Sequence, residues 1–373
     1  MPRSIKIAAV QMDAEVAPTH TRLERADDLV AEAASAGADL VVLPEFFNVG
    51  YQYDDSNYRR AETWDGPTVT WMRDTATRLK IHLAGTMLLL DDEDIYNTML
   101  LFAPDGRHWR YDKNFPWYWE RAYFRASDQI TVADTDLGKL GMLICWDAAH
   151  PELWERYRGK VDAMVISSCP PAMHDVAIHL PDETVLEMPD DGILGRIKDT
   201  AAGTFNEHLL KQAQHMNIPV VHTTGTGQLQ TTVPAPFVSM LTFAAMRPEL
   251  FKHIPQAAET VIETGYFNET YVANAGGEIL AKVPEGEEGY VVAEIELAPI
   301  TPTPVKHQPS FGMLPPTYWF DTILNTAMTP LYRHNVRKHY GRHMAPLTTQ
   351  TRQWIGVSVM SLLFGYVVGK LRG

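Results

Sequence analysis

The chain has 373 residues, enough for one large α/β domain with additions. Apolar residues make up 45% and charged residues 21%, an ordinary globular balance that excludes wholesale disorder, a collagen-like chain and a multi-span transporter. Lys and Arg number 32 against 46 Asp and Glu, and the resulting charge of −14 argues against a general nucleic-acid binder, which the phosphate backbone would repel.

Strand and helix alternate from the start. Ile5–Gln11 reads as a strand. The apolar run there is too short for a signal-peptide core, so no secretion signal is expected. Thr19–Ala36 places Leu23, Ala26, Leu29, Val30 and Ala33 at helical spacing, with Gly37 as a C-cap. Ala38–Pro44 is a continuous apolar strand of the kind buried on both faces. Pro67–Leu79 is a helix with Pro67 in its first turn. Ile81–Leu90 is a strand, and Thr98–Ala103 with His108–Tyr111 forms a hairpin about Pro104-Asp105-Gly106. Further strands are read at Ile130–Thr135, Leu140–Cys145, Val161–Ser167 and Ile218–Thr224. A second hairpin joins Thr270–Asn274 to Glu278–Val283, and Gly289–Ile295 closes the set. This pattern predicts an α/β fold with mixed sheets. Two stretches break it and read as insertions: 173–204, rich in Asp, Pro and His, and 228–264, apolar and irregular.

Beyond residue 300 the composition changes. Residues 301–352 read as an extended arm, Pro-rich at first and basic later through Arg333, Arg337, Lys338, Arg342 and Arg352. Trp354–Val368 carries no charge, and the segment 353–371 reads as an apolar helix. Its uncharged run would cover about 22 Å at roughly 1.5 Å per residue, short of a bilayer core of ~30 Å unless Lys370 and Arg372 snorkel. Membrane contact through this helix is the expectation, with burial in an interface between subunits as the alternative.

Two cysteines, Cys145 and Cys169, make neither a disulfide framework nor a zinc cluster, and a reducing, cytoplasmic setting is the default. Cys145 ends an apolar strand and precedes Trp146-Asp147. A nucleophile at a strand end is fixed yet reachable, although a lone Cys there is more often a small core hydrophobe. Val42-Leu43-Pro44-Glu45 puts a carboxylate at the end of a buried strand, which is costly without a partner or a task. Tyr111-Asp112-Lys113 puts an ammonium after the hairpin. Together Glu45 as general base, Cys145 as nucleophile and Lys113 as oxyanion stabiliser can perform acyl-transfer chemistry. His150 lies just after the nucleophile turn and could line the pocket. The other histidines do not cluster at metal spacing, and no metal or organic cofactor is required.

LPEFF around Glu45, YDKNFP around Lys113 and LICWDAAHPE around Cys145 resemble the nitrilase superfamily of carbon–nitrogen hydrolases, in order and in approximate spacing. The resemblance runs over roughly residues 5–297 and implies a four-layer α-β-β-α sandwich with a hydrolase domain over 1–300. It implies a thioester on Cys145, with the oxyanion held by Lys113 and the backbone N–H of Trp146. Glu120, in Glu120-Arg121-Ala122-Tyr123-Phe124, matches the second glutamate of the family. Its alternative reading is a surface ion pair with Arg121 or Arg125. The family also implies a homodimer or larger homo-oligomer.

Cys-Trp-Asp, rather than Cys-Trp-Glu, resembles the amidase and N-carbamoyl hydrolase branch, so amide hydrolysis is the leading reading. The apolar stretch 233–254 suggests an entrance for a hydrophobic or lipid-like amide on the cytoplasmic face of a membrane. The alternatives are an N-acyltransferase using the same thioester, a nitrile or N-carbamoyl amine hydrolase acting on small soluble substrates, and a non-enzymatic scaffold.

Overall fold

The computed structural model describes residues 3–172, 175–187, 203–297 and 328–340. In chain order the elements are β1 (Arg3–Asp13), α1 (Thr19–Ser35), β2 (Leu40–Val42), α2 (Ser56–Arg60), α3 (Pro67–Leu79), β3 (His82–Asp91), β4 (Asp94–Phe102), β5 (His108–Asp112), β6 (Val132–Thr135), β7 (Gly138–Ile144), α4 (Pro151–Tyr157) and β8 (Ala163–Ser167). There follow β9 (Ala177–His179), β10 (Val185–Glu187), α5 (Leu209–Met216), β11 (Val220–Thr223), β12 (Gly225–Thr226), β13 (Gln228–Thr232), α6 (Pro236–Met246), β14 (Val261–Gly265), β15 (Tyr271–Ala273), β16 (Ile279–Lys282) and β17 (Gly289–Leu297). A last helix, α7, covers 328–339.

The first sheet runs β12-β1-β2-β3-β4-β5, with β17 also paired to β1. The pairs β1–β2 and β2–β3 are parallel, and β3–β4, β4–β5 and β1–β17 are antiparallel. The second sheet runs β16-β15-β11-β8-β7-β6, parallel at β7–β8 and β8–β11. Period-two alternation along β1 sets the packing. Ala8, Val10 and Met12 share a core with Leu23, Ala26, Val30 and Ala33 of α1 and with Val69, Met72 and Ala76 of α3. Ile5, Ile7 and Ala9 share one with the second sheet, and Trp154 of α4 and Leu209 of α5 belong to it as well. The sheets therefore lie against each other, β1 and β17 meeting β15.

The stretch 228–264 is not an irregular loop. It folds as β13, α6, a 3-10 turn at Pro248–Glu259 and β14, and joins the other insertion in a third sheet, β10-β9-β14-β13. Its helix has no polar face to reveal the period, since PFVSMLTFAAM is apolar almost all round. Met240, Ala244 and Leu250 are buried against Ile178 and Leu180, while Phe237 and Phe251 face solvent. Val238, Leu241, Phe243 and Ile254 are half-buried, so only part of the apolarity of this stretch is consumed inside the protein.

The arm is also not extended where it is described. In α7, Met328, Tyr332 and Val336, spaced by four, are buried, and Arg333 and Lys338 are exposed. The Tyr332 hydroxyl accepts from the Ile95 amide at 3.0 Å and donates to Asp94 Oδ1 at 2.7 Å. No helix among the described residues is long and apolar enough to cross a membrane. The predicted apolar helix at 353–371 lies outside the described residues.

Candidate active site

The ends of β2 and β8 meet where the two sheets touch. The Leu43 carbonyl accepts from the Ser167 hydroxyl at 2.7 Å and from the Thr223 hydroxyl at 3.2 Å, which stitches one sheet to the other. Two residues on, the Glu45 amide donates to the Ser168 carbonyl at 3.2 Å and the Phe46 amide to Thr86 Oγ1 at 2.8 Å. Glu45 is thereby held in the seam, fully buried.

Its carboxylate has a partner on every side. Oε1 accepts from Lys113 Nζ at 2.8 Å and from Asn97 Nδ2 at 2.7 Å. Oε2 accepts from the Cys169 amide at 3.0 Å. Lys113 Nζ donates a second bond, to Glu120 Oε2 at 2.7 Å. Glu120 Oε1 accepts from the Tyr51 hydroxyl at 2.5 Å, Tyr51 pairs with the Tyr53 hydroxyl at 2.8 Å, and the Trp117 amide closes on Glu120 Oε2 at 2.6 Å. The surface ion pair considered for Glu120 is therefore corrected: Glu120 is 1% exposed, and its cation is Lys113.

Cys145 does not end β7. It opens a 3-10 turn, Cys145–Ala149, with φ of 48°, in the left-handed region that L residues rarely occupy. Phe46 next to Glu45 (φ 53°) and Tyr118 two residues before Glu120 (φ 44°) share that region. The segments that carry Glu45, Glu120 and Cys145 each hold a backbone position costing about 1–2 kcal/mol, as expected where packing overrides local preference to aim a side chain. The Cys169 amide that binds Glu45 Oε2 also faces the Cys145 thiol, so thiol and carboxylate sit side by side.

Electrostatics follows from burial and these pairs. Burial pushes the Glu45 carboxyl up to about 7 against the pull of Lys113, and the Glu120 charge adds to the rise. Burial alone would lower the Lys113 ammonium, but Glu120 and Glu45 more than reverse this and hold it above its ordinary value. Burial, then the Glu45 charge, pushes the Cys145 thiol well up, so it rests protonated beside a base.

His150 is stacked on Phe115, ring centroids 3.6 Å apart, meets Trp146 edge-on at 5.8 Å, and pairs with Glu152 at 3.1 Å. It packs the Cys145 turn against the segment that follows Lys113. Asn97, Tyr51, Tyr53 and the Cys169 amide were not found by sequence reasoning. Asn97 left no trace there, lying between Tyr96 and Thr98 in the polar half of β4. A cavity of about 470 Å3 opens beyond Pro116 and Phe124, lined by Arg121, Arg125, Arg333 and Arg337 and by Asp92, Glu93 and Asp94. None of Glu45, Lys113 or Cys145 lines it.

A buried carboxylate, a cation held by two carboxylates and a thiol on a left-handed turn are groups that can carry out cysteine-dependent acyl transfer. Residues 6–181 match the family model of the carbon-nitrogen hydrolases. The chain is 30% identical over 156 residues to a nitrilase of Pyrococcus abyssi, the match covering 40% of this chain and 58% of that protein. It is 30% identical over 169 residues to nitrilase 3 of Arabidopsis thaliana, covering 40% and 49%. The chain thus spans about half the length of the curated relatives it matches. Its fold resembles that of a CN-hydrolase superfamily protein of Xanthomonas campestris, solved with an arsenic adduct in the active site (TM-score 0.57, 19% identity, 79% of this chain and 91% of that one). It also resembles an amidase from Nesterenkonia sp. (TM-score 0.55, 17% identity, 79% and 92%).

Proposed function

We propose that this chain is a carbon–nitrogen hydrolase that cleaves a non-peptide amide through a thioester on Cys145. The observation that carries the reading is the bonding of Lys113. An ammonium has three donors. Among the described residues, Glu45 Oε1 and Glu120 Oε2 take two of them. The third remains for an oxyanion, and the Trp146 N–H, directly after the nucleophile, is its natural partner.

In this scheme the Cys145 sulfur attacks the amide carbon while Glu45 takes the thiol proton. The tetrahedral oxyanion is held by Lys113 and the Trp146 N–H. Glu45 returns the proton to the nitrogen, the C–N bond breaks and ammonia or an amine leaves. Glu45 then removes a proton from water, which attacks the thioester, and the carboxylic acid leaves with Cys145 again a thiol. The same base serves both halves.

Met240, Ala244 and Leu250 are used in packing inside the protein, which weakens the argument for a lipid-like substrate, and a small acyl amide is the preferred class. A second reading, nitrile hydrolysis, is favoured by the names of the curated relatives. The test is ammonia release from matched amides and nitriles sharing one acyl group, with Cys145→Ala as blank and mass spectrometry of the trapped thioester. Amide turnover lost in Cys145→Ala supports the reading. Turnover of the nitrile alone replaces it with the second. Thioester that accumulates until an amine is added makes the protein an acyltransferase.

A further inference from the structure

Asp147 is fully buried, directly after the turn that aims Cys145, and no step of the proposed chemistry uses it. Its carboxylate draws together two separate segments. From β5 and the segment after it, it accepts the Tyr111 hydroxyl on Oδ2 at 2.7 Å, the Phe115 amide on Oδ1 at 2.7 Å and the Asn114 amide at 3.1 Å. From its own turn it accepts the Ile144 amide at 3.3 Å. Asn114 is tied in further: its Nδ2 reaches Tyr111 Oη at 3.0 Å and the Gln129 carbonyl at 2.8 Å. The two amides nearest Asp147 belong to the residues immediately following Lys113, whose own amide is fixed to the Asn97 carbonyl at 2.9 Å.

We propose that Asp147 is a positioning residue that sets the distance between Cys145 and the Lys113 ammonium, by clamping the chain after Lys113 onto the nucleophile turn. The proposal rests on the hydrolase reading for the roles of those two groups. A buried carboxylate that accepts four donors is a rigid linker, because each bond is charge-assisted and leaving one unmade is costly. The amide of an Asn fits the same space but carries only one acceptor oxygen. Aimed at Phe115 and Asn114, it sets its NH2 against the Ile144 N–H; flipped, it sets that NH2 against the Phe115 and Asn114 amides, so backbone donors on one side lose their acceptor and the clamp loosens.

If the clamp opens, Lys113 drifts from Glu45. Among the described residues, the charged and titratable groups facing Glu45 are Lys113, Glu120, Cys145, Cys169, Tyr51 and Tyr53. Those facing Asp147 are Lys113, Tyr111, Tyr157 and His150. Lys113 is the cation common to both sets. Losing its pull leaves Glu45 harder to ionise, so the pH at which the base becomes available moves up.

The test uses the full chain with Asp147→Asn and Tyr111→Phe. Three quantities are measured: kcat and KM on the best substrate, the pH dependence of Cys145 alkylation by iodoacetamide, and the urea midpoint. Asp147→Asn is expected to lower kcat roughly 10–100-fold, as a displacement of about 1 Å would. KM should stay within about threefold, and the acid limb of alkylation should shift upward. Tyr111→Phe, which removes one donor, should shift the limb in the same direction by less, and it decides the matter if Asp147→Asn does not fold. A lower urea midpoint with an unmoved limb and unchanged kcat overturns the proposal and leaves Asp147 a structural residue. Alkylation needs no substrate, so failure of every amide and nitrile to turn over would sink the hydrolase reading while still testing the clamp.

Discussion

In the proposed chemistry Glu45 must be ionised to take a proton from Cys145, yet burial resists that ionisation until about pH 7. The acid limb of kcat/KM is therefore expected near pH 7, since that limb reports the base of the free enzyme. Asn97 donates to Glu45 Oε1 and favours the charged form. Asn97→Ala should move the limb up by about 0.5–1 pH unit, what one hydrogen bond of ~1 kcal/mol provides. A pH–rate profile of the two proteins checks this, and a limb that stays in place would remove Asn97 from the base's surroundings. Glu45 and Cys145 stood out in the sequence because a charge or thiol at the end of an apolar strand is out of place there, and Lys113 as a cation directly after a hairpin. Glu120 needed the family resemblance. Tyr51, Tyr53 and the Cys169 amide were not legible, since a loop tyrosine or a backbone N–H carries no mark of its partner. Asp147 was visible only as a branch marker, because its bonds run to residues more than thirty positions away.

At the scale of elements, period-two and period-3.6 patterns located most strands and helices of the two main sheets. Several elements escaped, α4 and α5 and the strands of the third sheet among them, and three places show why. The strand predicted to include Cys145 stops at Ile144, because the backbone turns left-handed at the nucleophile. The helix α6 shows no period because both its faces are apolar. The helix α7 was hidden by its basic residues, although Met328, Tyr332 and Val336 already stood at a spacing of four. α7 covers β4 through one tyrosine, and its His339 ring stacks on Tyr58 at 5.2 Å. Tyr332→Phe keeps the ring but leaves the Ile95 N–H without its acceptor. The expected cost is about 1–3 kcal/mol, the desolvation of an unpaired buried amide. Urea denaturation measures it. An unchanged midpoint would mean that α7 is held by its apolar stripe alone.

For the whole molecule, the seam between the sheets makes stability and the site answer to the same residue. His222 lies in β11, fully buried, with Nδ1 2.7 Å from the Glu269 carbonyl and Nε2 2.9 Å from Ser168 Oγ. The carbonyl can only accept, so Nδ1 carries the proton and Nε2 accepts from the serine. Burial lowers its pKa to about 4 from an ordinary 6.5. Below pH 6.5 the unfolded chain binds a proton that the folded one refuses, so folding weakens as pH falls, by roughly 1.4 kcal/mol per unit, until the folded ring titrates near 4. Ser168 accepts the Glu45 amide and precedes Cys169, whose amide holds Glu45 Oε2, so acid strains the seam at the base itself. His222→Gln removes the titration and also two hydrogen bonds. The variant should be less stable at pH 7 by about 1–3 kcal/mol. Its deficit against the natural protein should shrink by roughly 2 kcal/mol on going to pH 5. Urea midpoints of both proteins at the two pH values decide it: a deficit that does not shrink would place the acid sensitivity of this fold outside the seam.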